Sequence, residues 1–200
     1  AVDVAIIGSG YTGLHAALQI ARDGRSTLVV DAEDAGWGCS TRNGGQISTS
    51  IKPSFEELAD RHGPQRAFDI LKEGHRSLAW TNEFITAEKI DCDFGVVGRF
   101  HAAHNPKQFA TLVRRVTRQP RGLEVETLVV PRDQQRTELG TDAYHGGVIY
   151  LGHASLDPAR YHQGLLARVL AAGATVVPRC PVTALDRNRG GFSVVTPQGT

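Results

Sequence analysis

Three glycines near the amino terminus have a spacing that suits a phosphate-bearing ligand. The segment Gly8-Ser9-Gly10-Tyr11-Thr12-Gly13 fits the pattern G-x-G-x-x-G. Gly8 permits a tight turn, Gly10 lets the backbone approach a pyrophosphate, and Gly13 lets a helix pack closely against a strand. The amino terminus of that helix adds free N–H groups and a favourable dipole. These residue types at this spacing indicate dinucleotide binding.

An acidic residue follows at the distance that the pattern requires. Asp31 ends the apolar run Thr27–Val30, roughly 20 residues after the glycines. Its carboxylate can accept two hydrogen bonds from ribose hydroxyls and would repel a 2′-phosphate, which disfavours NADP. The alternative is that Asp31 only ends a strand and begins a turn. From these residues alone, FAD and NAD both remain open.

A second glycine-rich segment, residues 36–46, lacks the apolar periodicity of a helix or strand. Such a polar segment is typical of a loop that faces a ligand or solvent. Its hydroxyls, its guanidinium and its glycine backbones are suited to contact an anion. The groups in question belong to Ser40, Thr41, Arg42, Gly44 and Gly45.

These residues require a β-α-β unit to position them. The apolar pattern predicts a buried strand over residues 2–8 and a second strand over Thr27–Val30, which a crossover helix can join in parallel. The helix between them presents one apolar face, formed by Leu14, Ala17, Leu18 and Ala21, and Gly24 ends it. The glycine pattern therefore lies at the turn from a strand to a helix.

The same periodicities predict the remaining elements. Helices are expected over 54–89, in two pieces broken at Gly63-Pro64, over 106–118, and from Pro158 to Gly173, capped by Asp157. Strands are expected over 94–103, 123–127, 147–151 and 174–177, with a hairpin of 182–185 and 192–195. The positions expected in the core include Trp80 and the helical face of Tyr161, Leu165, Leu166, Val169 and Leu170.

Composition excludes several classes of function. The formal net charge is only +1, and the basic residues Arg114, Arg115 and Arg118 are interpreted as a solvated helix face, so no nucleic acid is expected. No apolar run approaches the ~20 residues of a membrane span. Cys39, Cys92 and Cys180 are odd in number and far apart, which, without a leader, favours a cytoplasmic location.

Residues 4–14 and 36–46 together resemble the D-amino acid oxidase and glycine oxidase superfamily, within which the γ-glutamylputrescine oxidase group is most similar. The resemblance continues through residues 146–185. It implies an α/β fold, with an FAD-binding Rossmann-like domain over 1–90 and 154–200. An inserted α+β substrate domain would begin over 91–153. Because family members are considerably longer, the chain is expected to be truncated at its carboxyl-terminal end.

The resemblance also implies which residues contact FAD. In that family the second loop follows the pyrophosphate and the isoalloxazine ring, and a backbone group at the position of Val182 meets the adenine. Alanine is usual at the position of Cys39, so we expect a small buried side chain there rather than a reactive thiol. The residues expected to contact the cofactor are Gly8, Ser9, Gly10, Tyr11, Thr12, Gly13, Asp31, Ala32, Gly38, Cys39, Ser40, Thr41, Arg42, Asn43, Gly44, Gly45, Gln46 and Val182.

The activity implied by the resemblance is oxidation of the carbon–nitrogen bond of a small-molecule amine or amino acid. A hydride passes to the flavin, the imine is hydrolysed, and O2 reoxidises the flavin. A dehydrogenase with another electron acceptor, or an FAD-binding subunit without catalysis, are the alternatives. The family's catalytic residues correspond mostly to positions beyond Thr200, so none is assigned. His101 and His104 would lie on opposite faces of a strand, so no metal site is expected.

Overall fold

The computed structural model describes all residues from 1 to 200. Ten strands, five α-helices and one 3-10 helix, Arg132–Thr137, form the fold. In chain order the strands and α-helices are β1 (Val4–Ile7), α1 (Tyr11–Arg22), β2 (Thr27–Val30), β3 (Gln46–Ile47), α2 (Phe55–His62), α3 (Pro64–Glu88), β4 (Arg99–Ala102), α4 (Pro106–Thr117), β5 (Thr127–Val130), β6 (Gly147–Tyr150), β7 (Ala154–Ser155), α5 (Pro158–Ala171), β8 (Thr175–Val177), β9 (Ala184–Asn188) and β10 (Gly191–Val195).

The chain divides into two compact units. The first comprises residues 1–45, 86–93 and 157–200, and the second comprises residues 46–85 and 94–156. Residues 46–85 were expected in the FAD-binding domain, whereas in the structure they cluster with the second unit. The expected domain boundaries near residues 90 and 154 stay a proposal.

The first unit contains a parallel sheet in the order β1-β2-β8. The register aligns Val4 with Thr27 and Leu28 with Thr175. Helix α1 connects β1 to β2, and α5 packs on α1. Fully buried apolar side chains from these helices and from the central strand form the core, among them Leu14, Leu18, Val29, Leu165 and Val169. The hairpin β9-β10 completes this unit.

Local sequence accounts for where the helices start and stop. The Asp157 carboxylate accepts hydrogen bonds from the N–H groups of Ala159 (2.9 Å) and Arg160 (3.0 Å), which caps α5. Ser54 and Glu57 form a reciprocal capping box at the start of α2. Gly63 has a positive φ of 81° and separates α2 from α3, as the sequence predicted.

The second unit is built on an antiparallel sheet in the order β4-β6-β5. Helix α4 packs on β6, and Ala103, Leu112, Val148 and Tyr150 form a buried cluster between helix and sheet. A short antiparallel pair, β3-β7, lies in the same unit. None of the helices in the chain combines the length and the apolar character that crossing a bilayer requires.

The predictions for three strands were inaccurate. β1 was expected to be buried, but Ala5 is exposed and Ile7 is 55% exposed, because these alternate residues share one face of the strand that the described residues leave open. The strand expected over 94–103 is confined to β4, since Gly98 has a positive φ of 73° that interrupts extended backbone. The strand expected over 123–127 instead begins at Thr127.

Two apolar side chains that were predicted to be buried are exposed. Trp80 is 48% exposed and stacks on Phe84, one helical turn away, rather than entering the core. Leu170 is 51% exposed, whereas His162 is only 1% exposed. The buried face of α5 is therefore rotated toward His162, because the helix packs beside the turn that follows β1.

Candidate dinucleotide site

The turn between β1 and α1 needs glycine for two separate reasons. Gly8 has a φ of 101°, a region that other L-residues rarely adopt. A Cβ at Gly13 would lie 2.0 Å from the carbonyl oxygen of Gly8, so no side chain fits there. At Gly10 a Cβ would lie 3.0 Å from Ser40 Oγ. The close approach of helix to strand that the sequence predicted is therefore present.

The amino terminus of α1 offers hydrogen-bond donors. Tyr11 N donates to Ser40 Oγ at 3.1 Å, and the first N–H that bonds within the helix is that of Leu14, which donates to Gly10 O at 2.9 Å. The N–H groups between these two are the orphan donors of a helix start. Because the first turn contains no acidic side chain, the positive end of the helix dipole is unopposed and can accommodate an anion.

Asp31 braces the glycine-rich turn. Its Oδ2 accepts hydrogen bonds from Ser9 N (2.7 Å) and Ser9 Oγ (2.6 Å), and its Oδ1 accepts one from Glu33 N (3.0 Å). Burial alone would raise the pKa of Asp31, but these hydrogen bonds outweigh burial and hold the pKa below its ordinary value of 3.8. A carboxylate has about four acceptor positions. With three filled by protein donors, one is left for a ribose hydroxyl, rather than the two expected.

The backbone of Asp31 brings the segment near Val182 to the same place. Asp31 N donates to Val177 O at 3.0 Å, and Cys180 N donates to Asp31 O at 2.7 Å. Val182 follows two residues later and is partly buried, while Ala32 next to Asp31 is exposed. The structure thus brings residues 177–180 beside Asp31, and contact of Val182 with an adenine stays a prediction.

The second loop is shaped by its own polar side chains. Thr41 Oγ1 donates to Gly36 O. Asn43 Nδ2 donates to Cys39 O (3.0 Å) and to Ser40 O (3.2 Å), while Asn43 Oδ1 accepts from Gly45 N at 2.9 Å. The hydroxyl proton of Thr41 is therefore committed within the loop rather than to a ligand. Ser40 joins this loop to the helix start, because its Oγ is the acceptor for Tyr11 N.

Several of the predicted contact residues have exposed side chains. The Arg42 guanidinium lies 4.3 Å from the centroid of the Trp37 ring, a cation–π contact that holds it at the loop surface. The expectation of a buried Cys39 was wrong: this thiol is exposed, because it lies in a tight turn in which Arg42 N donates to Cys39 O. The other exposed members are Thr12, Ala32, Gly38, Asn43, Gly44 and Gln46, the last of which begins β3 in the second unit.

Sequence reasoning missed the role of α5 in supporting this site. Tyr11 Oη donates to Pro158 O at 2.9 Å, and His162 Nε2 lies 2.7 Å from Ser9 O. The helical spacing of positions 161, 162, 165 and 169 could have indicated that His162 is buried, since these positions share one face. No local pattern could have named Ser9 as its partner, because the two residues are 153 positions apart.

The residues present fit a dinucleotide such as FAD. A helix start with unpaired donors suits the pyrophosphate, and Asp31 suits a ribose. The hydrogen bond between Tyr11 N and Ser40 Oγ keeps the second loop beside that helix start. All of these groups, up to Gly45, belong to the first unit.

Comparison with known proteins agrees with this fit. The model of the family DAO, described as FAD dependent oxidoreductase, matches residues 3–200. A probable oxidoreductase OrdL of Rhizobium meliloti is 30% identical over 99% of the chain, and the gamma-glutamylputrescine oxidoreductase of Escherichia coli is 29% identical over 92%. The crystal structure of glycine oxidase from Geobacillus kaustophilus has the same fold, with a TM-score of 0.85 at 17% identity over 99% of the chain.

The chain spans about half the length of these proteins. It covers 46% of the Rhizobium protein, 43% of the Escherichia coli protein and 52% of the glycine oxidase chain. The family model nevertheless matches the chain almost from end to end, and the glycine-rich turn, Asp31 and the second loop form one site within it. The chain belongs to the DAO family of FAD-dependent oxidoreductases.

Proposed function

We propose that the chain is the FAD-binding part of an enzyme that oxidises the carbon–nitrogen bond of an amine or amino acid. The observation that carries the FAD-binding part of this proposal is the hydrogen bond from Tyr11 N to Ser40 Oγ. It joins the glycine-rich turn to the second loop. Because the second loop is held against the glycine-rich turn, it can contact the part of a cofactor that extends from the pyrophosphate toward a flavin ring.

In this proposal each part of the site has one task. The start of α1 holds the pyrophosphate through free N–H groups, and Asp31 accepts a hydrogen bond from the ribose of the adenosine half. The backbone near Val182 meets the adenine. The second loop, residues 38–46, follows the pyrophosphate and the isoalloxazine ring, where its glycine backbones allow close approach.

FAD, when bound, would supply the acceptor for the hydride that leaves the substrate carbon; water would then hydrolyse the imine, and O2 with two protons would take up the two electrons as hydrogen peroxide. The chain's own residues orient the cofactor for this step. Asn43 and Thr41 set the shape of the second loop, and Asp31 fixes the glycine-rich turn through Ser9. Such preorganisation keeps the reactive ring in one position.

The class of substrate rests on the relatives. Because the Escherichia coli relative is a gamma-glutamylputrescine oxidoreductase and a structural neighbour is a glycine oxidase, primary and secondary amines that bear a carboxylate are the first candidates. Another electron acceptor in place of O2 would make the enzyme a dehydrogenase of the same family.

The test is an anaerobic titration of the full-length protein, followed by its visible absorption spectrum. The panel is γ-glutamylputrescine, putrescine, glycine and sarcosine. We expect one of them to bleach the flavin bands and admission of O2 to restore them. A bound flavin that no amine reduces would contradict the proposed activity, whereas bleaching that O2 does not reverse would replace the oxidase by a dehydrogenase.

A further inference from the structure

A buried histidine on α5 contacts both loops of the dinucleotide site. His162 is 1% exposed, and its Nε2 lies 2.7 Å from the carbonyl oxygen of Ser9. On another side of the ring, Cε1 and Nδ1 lie 3.0 Å from the point where a Cβ of Gly36 would stand. One imidazole therefore touches the glycine-rich turn and the beginning of the second loop.

The contact with Ser9 is polar and buried. Ser9 is 0% exposed, so its carbonyl oxygen depends on a protein donor, and an unpaired buried acceptor is unfavourable. A carbonyl oxygen only accepts, so Nε2 of His162 must bear the proton. The backbone N–H and the hydroxyl of Ser9 both donate to the Asp31 carboxylate. His162 and Asp31 thus hold the same residue from two sides.

The contact with Gly36 is steric. Gly36 has a φ of 88°, and the space for a side chain is tight, because the imidazole and the Thr41 methyl group, 3.1 Å from the same point, border it. The carbonyl oxygen of Gly36 accepts the hydrogen bond from Thr41 Oγ1 that shapes the second loop. The ring therefore packs directly beside the base of this loop.

We propose that His162 is a positioning residue of the FAD site, which sets the spacing between the glycine-rich turn and the second loop through Ser9 and Gly36. The inference rests on the proposed FAD site and extends it to a helix that the ligand does not need to touch. His162 acts chiefly through its hydrogen bond to Ser9, while its side chain fills the space beside Gly36.

The test compares two amides that replace the imidazole. In H162Q the amide nitrogen can occupy the place of Nε2 and donate to Ser9 O, whereas in H162N the shorter side chain cannot reach it. We expect H162N to bind FAD at least about tenfold more weakly than the unmodified full-length protein, and H162Q to stay within about threefold. Equal affinities of H162N and H162Q would overturn the proposal.

Tyr161→Phe is the matched control, because it removes only a hydroxyl that hydrogen-bonds to His15 and leaves in place the ring that packs edge-on against Tyr11. Tyr161 Oη lies 2.8 Å from His15 Nε2. Y161F should lower the thermal midpoint while FAD affinity stays within about twofold. If Y161F weakened FAD binding as much as H162N, general loss of packing would explain both variants and His162 would have no positioning role.

A second measurement does not depend on the cofactor. Hydrogen–deuterium exchange of the FAD-free proteins reports the order of residues 8–13 and 36–45 directly. Faster exchange of both segments in H162N than in H162Q is expected, and equal exchange would overturn the proposal. If the unmodified protein bound no FAD, the proposed function would fail, while this exchange comparison would still decide the role of His162.

Discussion

At the scale of single residues, one methyl group can decide whether the turn between β1 and α1 forms. A Cβ at Gly13 would lie 2.0 Å from Gly8 O; the Cβ is fixed to the backbone of α1 and the oxygen belongs to the backbone that follows β1, so neither can move aside independently. G13A should therefore separate α1 from β1. We expect FAD affinity to fall by roughly thirtyfold or more, which corresponds to about 2 kcal/mol.

A fluorescence titration with FAD measures this effect. The matched control is G152A, because Gly152 has no atom within 4 Å of an added Cβ and no positive φ. G152A should bind FAD like the unmodified protein. If G13A also bound FAD normally, the close packing of helix against strand would not be needed for the site.

A second residue, His153, makes stability depend on pH. It is 2% exposed and stacks on Tyr150, with ring centroids 4.9 Å apart. Burial, helped by the charge of Arg99, lowers the pKa of His153 from 6.5 to about 4. Because the folded-state pKa is depressed, its contribution to stability is present above pH 6.5 and is lost as the pH falls toward 4. The loss amounts to about 3 kcal/mol.

Urea unfolding between pH 7 and pH 4, followed by a probe in the second unit, measures this dependence. H153Q cannot titrate, so the difference in unfolding free energy between H153Q and the unmodified protein should shrink as the pH falls. A difference that stays constant across this range would show that burial in the folded protein does not lower the pKa of His153.

At the scale of secondary structure, Gly164 lets α5 pack closely against Ile90, in the segment that follows α3. A Cβ at Gly164 would lie 2.4 Å from Cγ2 of Ile90, which is itself 6% exposed. Replacing a helical glycine by alanine ordinarily stabilises a helix by up to about 1 kcal/mol. Here we expect G164A to destabilise the first unit by about 1–3 kcal/mol, because overpacking outweighs the gain in helix propensity.

A double-mutant cycle with I90A, measured by thermal unfolding, tests that explanation. I90A alone removes the clashing atom and leaves a cavity, which should cost about 2–5 kcal/mol. In the double variant the alanine methyl of G164A has room, so the combined loss should be smaller than the sum of the two single losses. Additive losses would mean that Gly164 and Ile90 do not contact each other as the structure has them.

Elements whose signals are local could be predicted from the sequence. The bounds of β2, the break at Gly63 and the cap at Asp157 all depend on neighbouring residues, and the structure confirms them. The start of β5 and the exposure of Trp80 depend on partners distant in the chain, and these predictions were inaccurate. Periodicity gives the face of an element, but not which other element covers it.

The candidate site shows the same division. The residue types alone predicted the tight turn at Gly8 and the close approach of helix to strand at Gly13. They also predicted that the Asp31 carboxylate is a hydrogen-bond acceptor. The commitment of the Asp31 carboxylate to Ser9, and the support from His162, could not be predicted because both are tertiary contacts. Cys39 is exposed in the turn conformation of its loop. The comparison of this cysteine with the alanine that is usual in the family gave no information about that conformation.

At the scale of the whole molecule, the residues that fit FAD, up to Gly45, lie in the first of the two compact units. A ligand that binds only the folded state stabilises the part of the protein that holds it. Removal of FAD should therefore increase hydrogen–deuterium exchange most strongly in residues 8–13 and 36–45. Exchange in the β4-β6-β5 sheet should change much less, and an equal increase throughout both units would contradict this localisation.

The most direct test of the central claim is the identity and amount of the cofactor that the purified full-length protein carries. We expect a yellow protein that releases about one FAD per chain on denaturation, because the site and the family both indicate a tightly held flavin dinucleotide. A colourless protein that binds NAD instead would contradict the account. NAD does not absorb visible light, and without a flavin the second loop would not have the role proposed for it.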